Sequence, residues 1–358
     1  MYKKKLTLTG ILLLLVVFIR IFSANAFVVE RYYSLGIYTY IGSFFRWITG
    51  WMPFSLGDIL YGLAAIWLLW KVSKGLKVLF KKQVTAKLFL VKSASVIIAL
   101  LIIYIVFNVL WGFNYNRLGI ERQLGLKMEK YSPEDLRTVS NILLQKVNEN
   151  KGAIVKYGPV TLSNKEIFDR SKEAYDLASE KYLFLQYNPA SVKTSLWGWL
   201  GNYIGFSGYY NPFTGEAQVN TTVPKFLQPY TTCHEIAHQL GYAKEKEANF
   251  VGYLAAASSK DSVFLYSVYL DLFLYADRNL YSVDSAASRS LANQLLPSVK
   301  ADLKELNEFY LKHQNPVEPV IRWMYGKYLQ SNQQPSGVLS YDEVTGFLIA
   351  YYKKYNHL

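Results

Sequence analysis

The segment 234–238 reads His-Glu-Ile-Ala-His, and it indicates a chemistry more directly than any other part of the chain. On a helix, His234 and His238 lie four residues apart and project from one face. Two imidazoles at this spacing can hold one Zn²⁺, and Glu235 then lies beside the open coordination position. Zinc would acidify a water molecule there, and Glu235 could take its proton as the water attacks a carbonyl. The pattern therefore predicts a zinc hydrolase with Glu235 as the catalytic base, and the alternative is a chance occurrence of a short pattern.

The residues after this pattern offer a third zinc ligand. Gly241 is a natural helix end, and a second helix starting near Lys244 would bring a carboxylate back to the metal. Glu245 and Glu247 are the two candidates, and on a helix they point about 200° apart, so that only one can face the histidines. We favour Glu245, because Asn249 then lies one turn along the same face and could support the ligand. Glu247 is the alternate ligand; otherwise we expect it to point to solvent or to cap the helix. Both acids could also be no more than a solvated helix start, which the helix dipole favours.

The pattern Glu245-x-x-Ala-Asn249 resembles the E-x-x-A-D pattern of gluzincin metallopeptidases, in which the Glu binds zinc. The run 247–250 (EANF) also resembles a run in the phage-repressor-cleaving metallopeptidases. One departure is the short spacing, since gluzincins usually place many more residues between the second His and the third ligand. The metzincin pattern would place its last His at Lys244, and a protonated lysine cannot bind zinc, so we exclude that class.

Over nearly its whole length the sequence resembles a family of bacterial membrane proteins known as domain of unknown function 3810. Three segments carry the resemblance, namely 111–117 (WGFNYNR), 233–241 (CHEIAHQLG) and 247–250 (EANF). The resemblance implies a zinc peptidase that is anchored in a membrane, and it supplies no substrate.

The charge of the chain belongs to its N-terminal part. The formal net charge is +13, of which residues 1–111 carry +11 and residues 112–358 carry +2. A nearly neutral C-terminal part lacks the basic surface that nucleic-acid binding requires. We therefore expect a peptide or protein substrate and a lipid bilayer as partners, with neither nucleic acid nor an organic cofactor.

The one cysteine, Cys233, cannot form an internal disulfide. It directly precedes His234, and neighbouring residues on a helix point about 100° apart. Cys233 therefore points away from the metal face, and we expect a small buried core residue rather than a ligand or nucleophile.

Three apolar segments are long enough to be membrane spans, at about 7–23, 55–70 and 89–111. They define a membrane region over 1–111 and a second domain over 112–358. The first segment could instead be a signal peptide, given the Ala-Asn-Ala sequence at 24–26. We expect a retained span, because two further spans follow it.

The distribution of lysines predicts the orientation in the membrane. The region 71–92 carries seven lysines and no acid (Lys71, Lys74, Lys77, Lys81, Lys82, Lys87 and Lys92). Together with lysines 3–5 it marks the cytoplasmic side by the positive-inside rule. We therefore expect residues 112–358 outside the cytoplasmic membrane of a bacterium. The aromatic segment 27–53 is expected to lie along the outer interface as a short amphipathic helix.

The predicted fold is mainly α, with three N-terminal transmembrane helices followed by a mostly helical, zincin-like extracytoplasmic domain with a small β element. Helical patterns and caps predict helices at about 132–150, 163–182, 228–240, 244–259, 261–280, 285–313, 317–330 and 340–355. Capping boxes are expected at Ser163 with Glu166 and at Ser340 with Glu343.

The segment 186–226 is rich in Gly, Tyr, Trp and Asn, and it contains a strand candidate at 216–220. In zinc peptidases of the class that the chain resembles, an edge strand before the metal helix holds the substrate backbone. The resemblance therefore suggests Ala217, Gln218 and Val219 as substrate-binding residues, and the alternative is a plain structural hairpin.

The sequence favours a membrane-anchored zinc metallopeptidase that hydrolyses peptide bonds outside the cytoplasmic membrane. A Tyr, Arg or His would stabilise the developing oxyanion, and Tyr253 and His313 are candidates. The alternative function is a non-catalytic, metal-stabilised binding or scaffold protein of the cell envelope. An intramembrane protease is disfavoured, because His234 lies more than 100 residues beyond the last apolar segment.

Overall fold

The computed structural model describes residues 2–81, 85–158 and 161–358. Lys82, one of the lysines used for the orientation, lies outside the described residues. The described chain is mainly helical, with one small sheet and three helices that are long and apolar enough to cross a membrane.

The N-terminal part confirms the three predicted apolar helices. The apolar stretches are Lys4–Ser23, Leu56–Phe80 and Leu88–Leu110. The second ends ten residues after the predicted segment, because the helix continues through the first lysines. The elements of this part are α1 (Tyr2–Ser23), α2 (Ala26–Val28), a π-helical segment (Val29–Ile37), α3 (Tyr38–Gly50), α4 (Leu56–Phe80) and α5 (Ala86–Leu110). Helices α1 and α5 pack against each other.

The C-terminal part adds helices and short 3-10 turns around one sheet. The helices are α6 (Ile120–Leu124), α7 (Pro133–Tyr157), α8 (Asn164–Lys181), α9 (Gly198–Ile204), α10 (Gln228–Gln239), α11 (Glu245–Ala256), α12 (Ser262–Val283), α13 (Ser285–Asn293), α14 (Pro297–His313), α15 (Glu318–Ser331) and α16 (Val344–Tyr355). The 3-10 turns are Gly112–Asn116, Leu183–Leu185, Lys225–Leu227 and Gly337–Tyr341.

Two details of the helix predictions are wrong. The predicted helix 285–313 is two helices, because Pro297 lacks an N–H and begins a new helix after a break. The expected capping box of Ser340 and Glu343 does not form, since Ser340 lies buried in a 3-10 turn and Glu343 pairs with Lys246 instead. The box of Ser163 and Glu166 is confirmed.

The sheet contains β1 (Val192–Thr194), β2 (Gly208–Asn211) and β3 (Glu216–Val219), in the order β1-β3-β2. Strand β3 pairs in parallel with β1 and antiparallel with β2. The expectation that Ala217, Gln218 and Val219 form an edge strand is therefore wrong. Their strand is central: it forms a hairpin with β2, and its other edge pairs with β1 from more than 20 residues earlier.

The main core surrounds α10 and α11, with α8, α12 and α16 packed about them and α7 packed on α12. Cys233 is fully buried in this core, as predicted, and burial raises the pKa of its thiol to about 12. The thiol therefore stays protonated and unreactive at neutral pH. Tyr175 donates a hydrogen bond to the backbone carbonyl of Cys233, which fixes α8 to α10.

The two parts of the chain on either side of residue 111, the predicted domain boundary, are in contact in the structure. Tyr38 and Arg46 of α3 both donate to the carbonyl of Gln239 at the end of α10, over 2.8 and 3.2 Å. Glu216 of β3 accepts the backbone N–H groups of Leu56 and Gly57 at the start of α4, over 2.9 and 2.6 Å. The expected amphipathic helix at 27–53 is thus partly buried against the C-terminal part, and its exposed face carries the aromatic residues Tyr40, Phe44, Trp47 and Trp51.

The contact between Glu216 and α4 predicts a loss of stability when the carboxylate is removed. Glu216→Ala leaves two N–H groups without their acceptor at a buried helix start, which costs about 2 kcal/mol or more. We expect the thermal midpoint of the detergent-solubilised full chain to fall by several degrees. Glu134→Ala, at an exposed glutamate, is the matched control. An unchanged midpoint for Glu216→Ala would show that the carboxylate does not hold α4 in place.

Candidate metal centre

The two histidines project from α10 towards α11, and both side chains are buried. The two helices approach closely because α11 carries Gly252 at their contact. A Cβ atom at Gly252 would lie 3.2 Å from the Cα of His234, a distance that side chains rarely show. The turn between the helices is closed by Gly241, which has a positive φ of 87°. These two glycines allow the start of α11 to return to the histidines.

Glu245 is the carboxylate that this turn brings to the histidines. Its Oε2 atom lies 3.3 Å from Nε2 of His234 and 3.5 Å from Nε2 of His238. The three donor atoms lie within 4.8 Å of one another and are all buried. For zinc bonds of about 2.0–2.1 Å, neighbouring ligands of a tetrahedron are about 3.3–3.4 Å apart. The spacing of the donors therefore fits a small divalent cation.

Further hydrogen bonds fix the orientation of His238 and Glu245. Nδ1 of His238 lies 2.7 Å from the carbonyl of Tyr242, and a carbonyl can only accept, so the proton of His238 belongs on Nδ1. Its Nε2 is then free to bind a metal. Tyr325 of α15 donates to Oε1 of Glu245 over 2.8 Å, and Gln334 accepts the backbone N–H of Glu245 over 2.8 Å. Support of this kind is typical of metal ligands.

The pKa values of Glu245 and His238 show that the two side chains interact strongly. Burial opposes the ionisation of Glu245, yet the two histidines outweigh it and hold the pKa of that carboxyl well below its usual value. Burial also lowers the pKa of His238, but the charge of Glu245 outweighs it and raises that pKa to about 9. A bound cation would take the place of the imidazolium proton as the partner of Glu245.

Glu235 lies beside the three donors and is buried. Burial raises its pKa to about 7, against the opposing charges of His234 and His238. Its Oε2 atom has no hydrogen-bond partner among the described residues. Strand β2 passes directly over it, because a Cβ atom at Gly208 would lie 2.6 Å from Oε1 of Glu235. The carboxylate is thus held beside the donors without being one of them.

Glu247 and Asn249 lie outside the set of donors. Glu247 is buried, with 1% of its surface exposed, and its Oε1 lies 3.2 Å from Nζ of Lys244. The expectation that it points to solvent is wrong, because the turn folds the lysine over it. Asn249 is buried one turn beyond Glu245, and its backbone carbonyl accepts from Tyr230.

The segment 111–117 fastens the end of α5 to this site. Trp111 donates from its indole N–H to the carbonyl of His238 over 3.0 Å. Arg117 donates to the carbonyl of Gly241 over 3.1 Å and binds both carboxylate oxygens of Glu30 over 2.9 Å. The segment therefore holds the turn that follows the second histidine.

Most of the chain matches one family of proteins. The family described as "Protein of unknown function (DUF3810)" matches residues 33–349. The chain belongs to this family. The matched range contains the donors, Glu235 and segment 111–117, and it begins within the π-helical segment. No curated protein and no solved structure matches the chain.

A cavity of about 250 Å³ opens onto the donors and Glu235. Most of its other lining residues are aromatic, and they are Tyr61, Phe107, Trp111, Tyr115, Phe206, Tyr209, Tyr210, Phe213, Tyr325 and Tyr328. The two residues expected to stabilise an oxyanion do not line it. Tyr253 is buried in the core, and His313 packs on Phe309 and Tyr203 at the end of α14.

Sequence reasoning missed several residues that shape the site. Tyr325 lies 80 positions after its partner Glu245, and no local pattern marks it. The family segment 111–117 was visible in the sequence, but its contacts with α10 were not.

The geometry predicts that Glu245, rather than Glu247, sets the metal affinity. Glu245→Gln replaces a charged donor by a weak neutral one, so we expect zinc affinity to fall more than about 100-fold. The isosteric Glu247→Gln should change it less than about tenfold. Calorimetric titration of the full chain with zinc measures both. Loss of affinity in Glu247→Gln alone would reverse the assignment, and full affinity in both variants would reject the three-donor site.

Proposed function

We propose that this chain is a zinc-dependent peptidase, anchored in the cytoplasmic membrane of a bacterium, that hydrolyses peptide bonds outside the cytoplasm. One observation carries the proposal, namely the convergence of His234, His238 and Glu245 beside the buried carboxylate of Glu235. A purely structural metal site has no need of a fourth group that is buried and lacks a hydrogen bond on one oxygen among the described residues. A hydrolase needs such a group as its base.

Zinc held by the three donors would activate water and polarise the scissile carbonyl. The residues of the chain supply the remaining steps. Glu235 accepts the proton of the attacking water and passes it to the leaving amine, and its burial, which raises the pKa of the carboxyl, favours its acting as a base that can be protonated.

We assign the stabilisation of the oxyanion to Tyr325. Its hydroxyl lies 2.8 Å from Oε1 of Glu245, and its side chain lines the cavity. A phenol has a single O–H, so Tyr325 must release Glu245 in order to donate to the carbonyl oxygen as negative charge develops on it. The assignment replaces Tyr253 and His313, which lie away from the cavity.

We assign the binding of the substrate backbone to the edge strand β2 instead of the central strand β3. Strand β2 ends the sheet order, and its residues Gly208, Tyr209 and Tyr210 line the cavity beside Glu235. An extended peptide could pair with this edge, so that its backbone is held across the metal centre. Gly208 suits such a position, because it has no side chain to block the approach.

The central test compares metal content with turnover in the full chain. We expect one zinc per chain, lost in His234→Ala and in His238→Ala. Glu235→Gln should retain zinc and lose peptide hydrolysis by at least about 100-fold, because it removes the base and leaves the ligands. Elemental analysis and a fluorogenic peptide pool measure the two properties.

Glu308→Gln, at an exposed glutamate, is the matched control. A Glu235→Gln variant that hydrolyses peptide at the unsubstituted rate would reject the mechanism. A wild-type chain that binds zinc tightly and cleaves no peptide would favour the metal-stabilised scaffold.

The proposed location predicts the orientation of each part. Helices α4 and α5 are joined by a short lysine-rich connection, which the positive-inside rule places in the cytoplasm. Reporter fusions after residue 80 should read cytoplasmic, and fusions after residue 130 should read external. A cytoplasmic reading at residue 130 would overturn the proposed location and leave the chemistry of the site unaffected.

A further inference from the structure

We propose that the substrate is a peptide that is itself anchored in the bilayer, and that it enters the metal cavity sideways through a groove between α1 and α5. This inference rests on the proposed peptidase function and adds the class of substrate. Three observations support it. The apolar helices line part of the metal cavity, a second cavity adjoins it, and exposed aromatic and apolar side chains surround both.

The metal cavity is partly built from the apolar helices. Tyr61 of α4 and Phe107 of α5 both line it, as does Trp111 directly after α5. Tyr61 is the sixth residue of α4, about 7 Å along its axis from the start, and Phe107 is about 5 Å from the end of α5. The cavity therefore lies at the level where these helices leave the bilayer.

A second cavity of about 340 Å³, here called the lateral groove, adjoins this site, and the hydrogen-bonded pair of Tyr115 and Tyr328 lies where the two meet, so these side chains must part for a peptide to pass. The two share Phe107, Tyr115 and Tyr328. The lateral groove reaches Ile103 and Leu100 of α5, which lie about 10 and 15 Å before the end of that helix. Since the hydrocarbon core of a bilayer is about 30 Å thick, the groove extends well below the membrane surface.

Polar groups line the lateral groove near the ends of α1 and α5. Arg20 of α1 and Asn108 of α5 both contribute to its wall, and the guanidinium of Arg20 lies 6.0 Å from the ring of Tyr104. Polar side chains within spans usually face a polar cavity or reach to the interface, because exposure to hydrocarbon is costly. Their presence suits a peptide backbone better than it suits acyl chains alone.

Exposed aromatic and apolar side chains surround the site at the same level. Helix α9 exposes 57% of Trp199, and α15 exposes 64% of Trp323 and 59% of Met324. Helix α9 is attached to the start of α4, because the indole of Trp197 donates to the carbonyl of Asp58 over 3.0 Å. Tryptophan is enriched at membrane interfaces, so α9 and α15 are expected to rest on the bilayer. A substrate that approaches along the membrane then meets the cavity directly.

Cleavage of matched peptides in liposomes tests this inference. The full chain is reconstituted and given one pool of quenched peptides with either a palmitoyl or an acetyl group at the N-terminus. We expect the palmitoylated pool to be cleaved at least about tenfold faster. Equal rates for the two pools would overturn the inference and leave the peptidase function standing.

A pair of substitutions separates entry through the groove from mere concentration at the membrane. Ile103→Trp fills the lateral groove, whereas Ile102→Trp adds the same bulk to a neighbouring exposed position that does not line it. We expect Ile103→Trp to slow cleavage of the palmitoylated pool at least about fivefold and Ile102→Trp to have little effect. Equal effects of both would overturn entry through the groove.

Photo-crosslinking gives a readout that needs no turnover. Benzoylphenylalanine placed at position 103 or 102 is irradiated with the palmitoylated pool in liposomes. Stronger labelling from position 103 supports docking in the groove, even if no peptide is cleaved and the peptidase function fails. Equal labelling from both positions would mean that lipid-anchored peptide only surrounds the helices, and would overturn the inference.

Discussion

The fold depends on a buried carboxylate that lies between two imidazoles. Glu245 would be costly to bury alone, because an ionised carboxylate loses its hydration and gains nothing from an apolar core. His234 and His238 offset that cost, and a cation between them would offset it further. The arrangement requires α10 and α11 to touch, which Gly252 permits, and it requires a sharp turn, which Gly241 provides.

The sharp turn after His238 is also where the apolar helices are joined to the candidate metal centre. The turn after His238 is held by Trp111 and Arg117, which follow α5, while Glu216 of the central strand caps the start of α4. A shift of the apolar helices would therefore disturb His238 and the turn that leads to Glu245. The position of the candidate site relative to the three apolar helices is thus fixed by the fold.

Local patterns could be predicted from the sequence, and contacts between distant segments could not. Helical periodicity was sufficient to place His234, Glu235 and His238, and to prefer Glu245 over Glu247, because these choices depend on a few neighbouring residues. The three apolar helices followed from hydropathy. The central position of β3 was missed because β1 lies more than 20 residues earlier, and the burial of Glu247 was missed because Lys244 folds over it. Tyr325 comes from a helix whose sequence carries no sign of its contact.

The central claim is that His234, His238 and Glu245 bind zinc, and a measurement of the ligands around the metal tests it most directly. X-ray absorption at the zinc edge of the purified full chain reports the ligand atoms and their distances. The account predicts two imidazole nitrogens and one or two oxygens at about 2.0–2.1 Å. A sulfur ligand at about 2.3 Å would require Cys233 and would contradict the site, as would the absence of imidazole from the ligands.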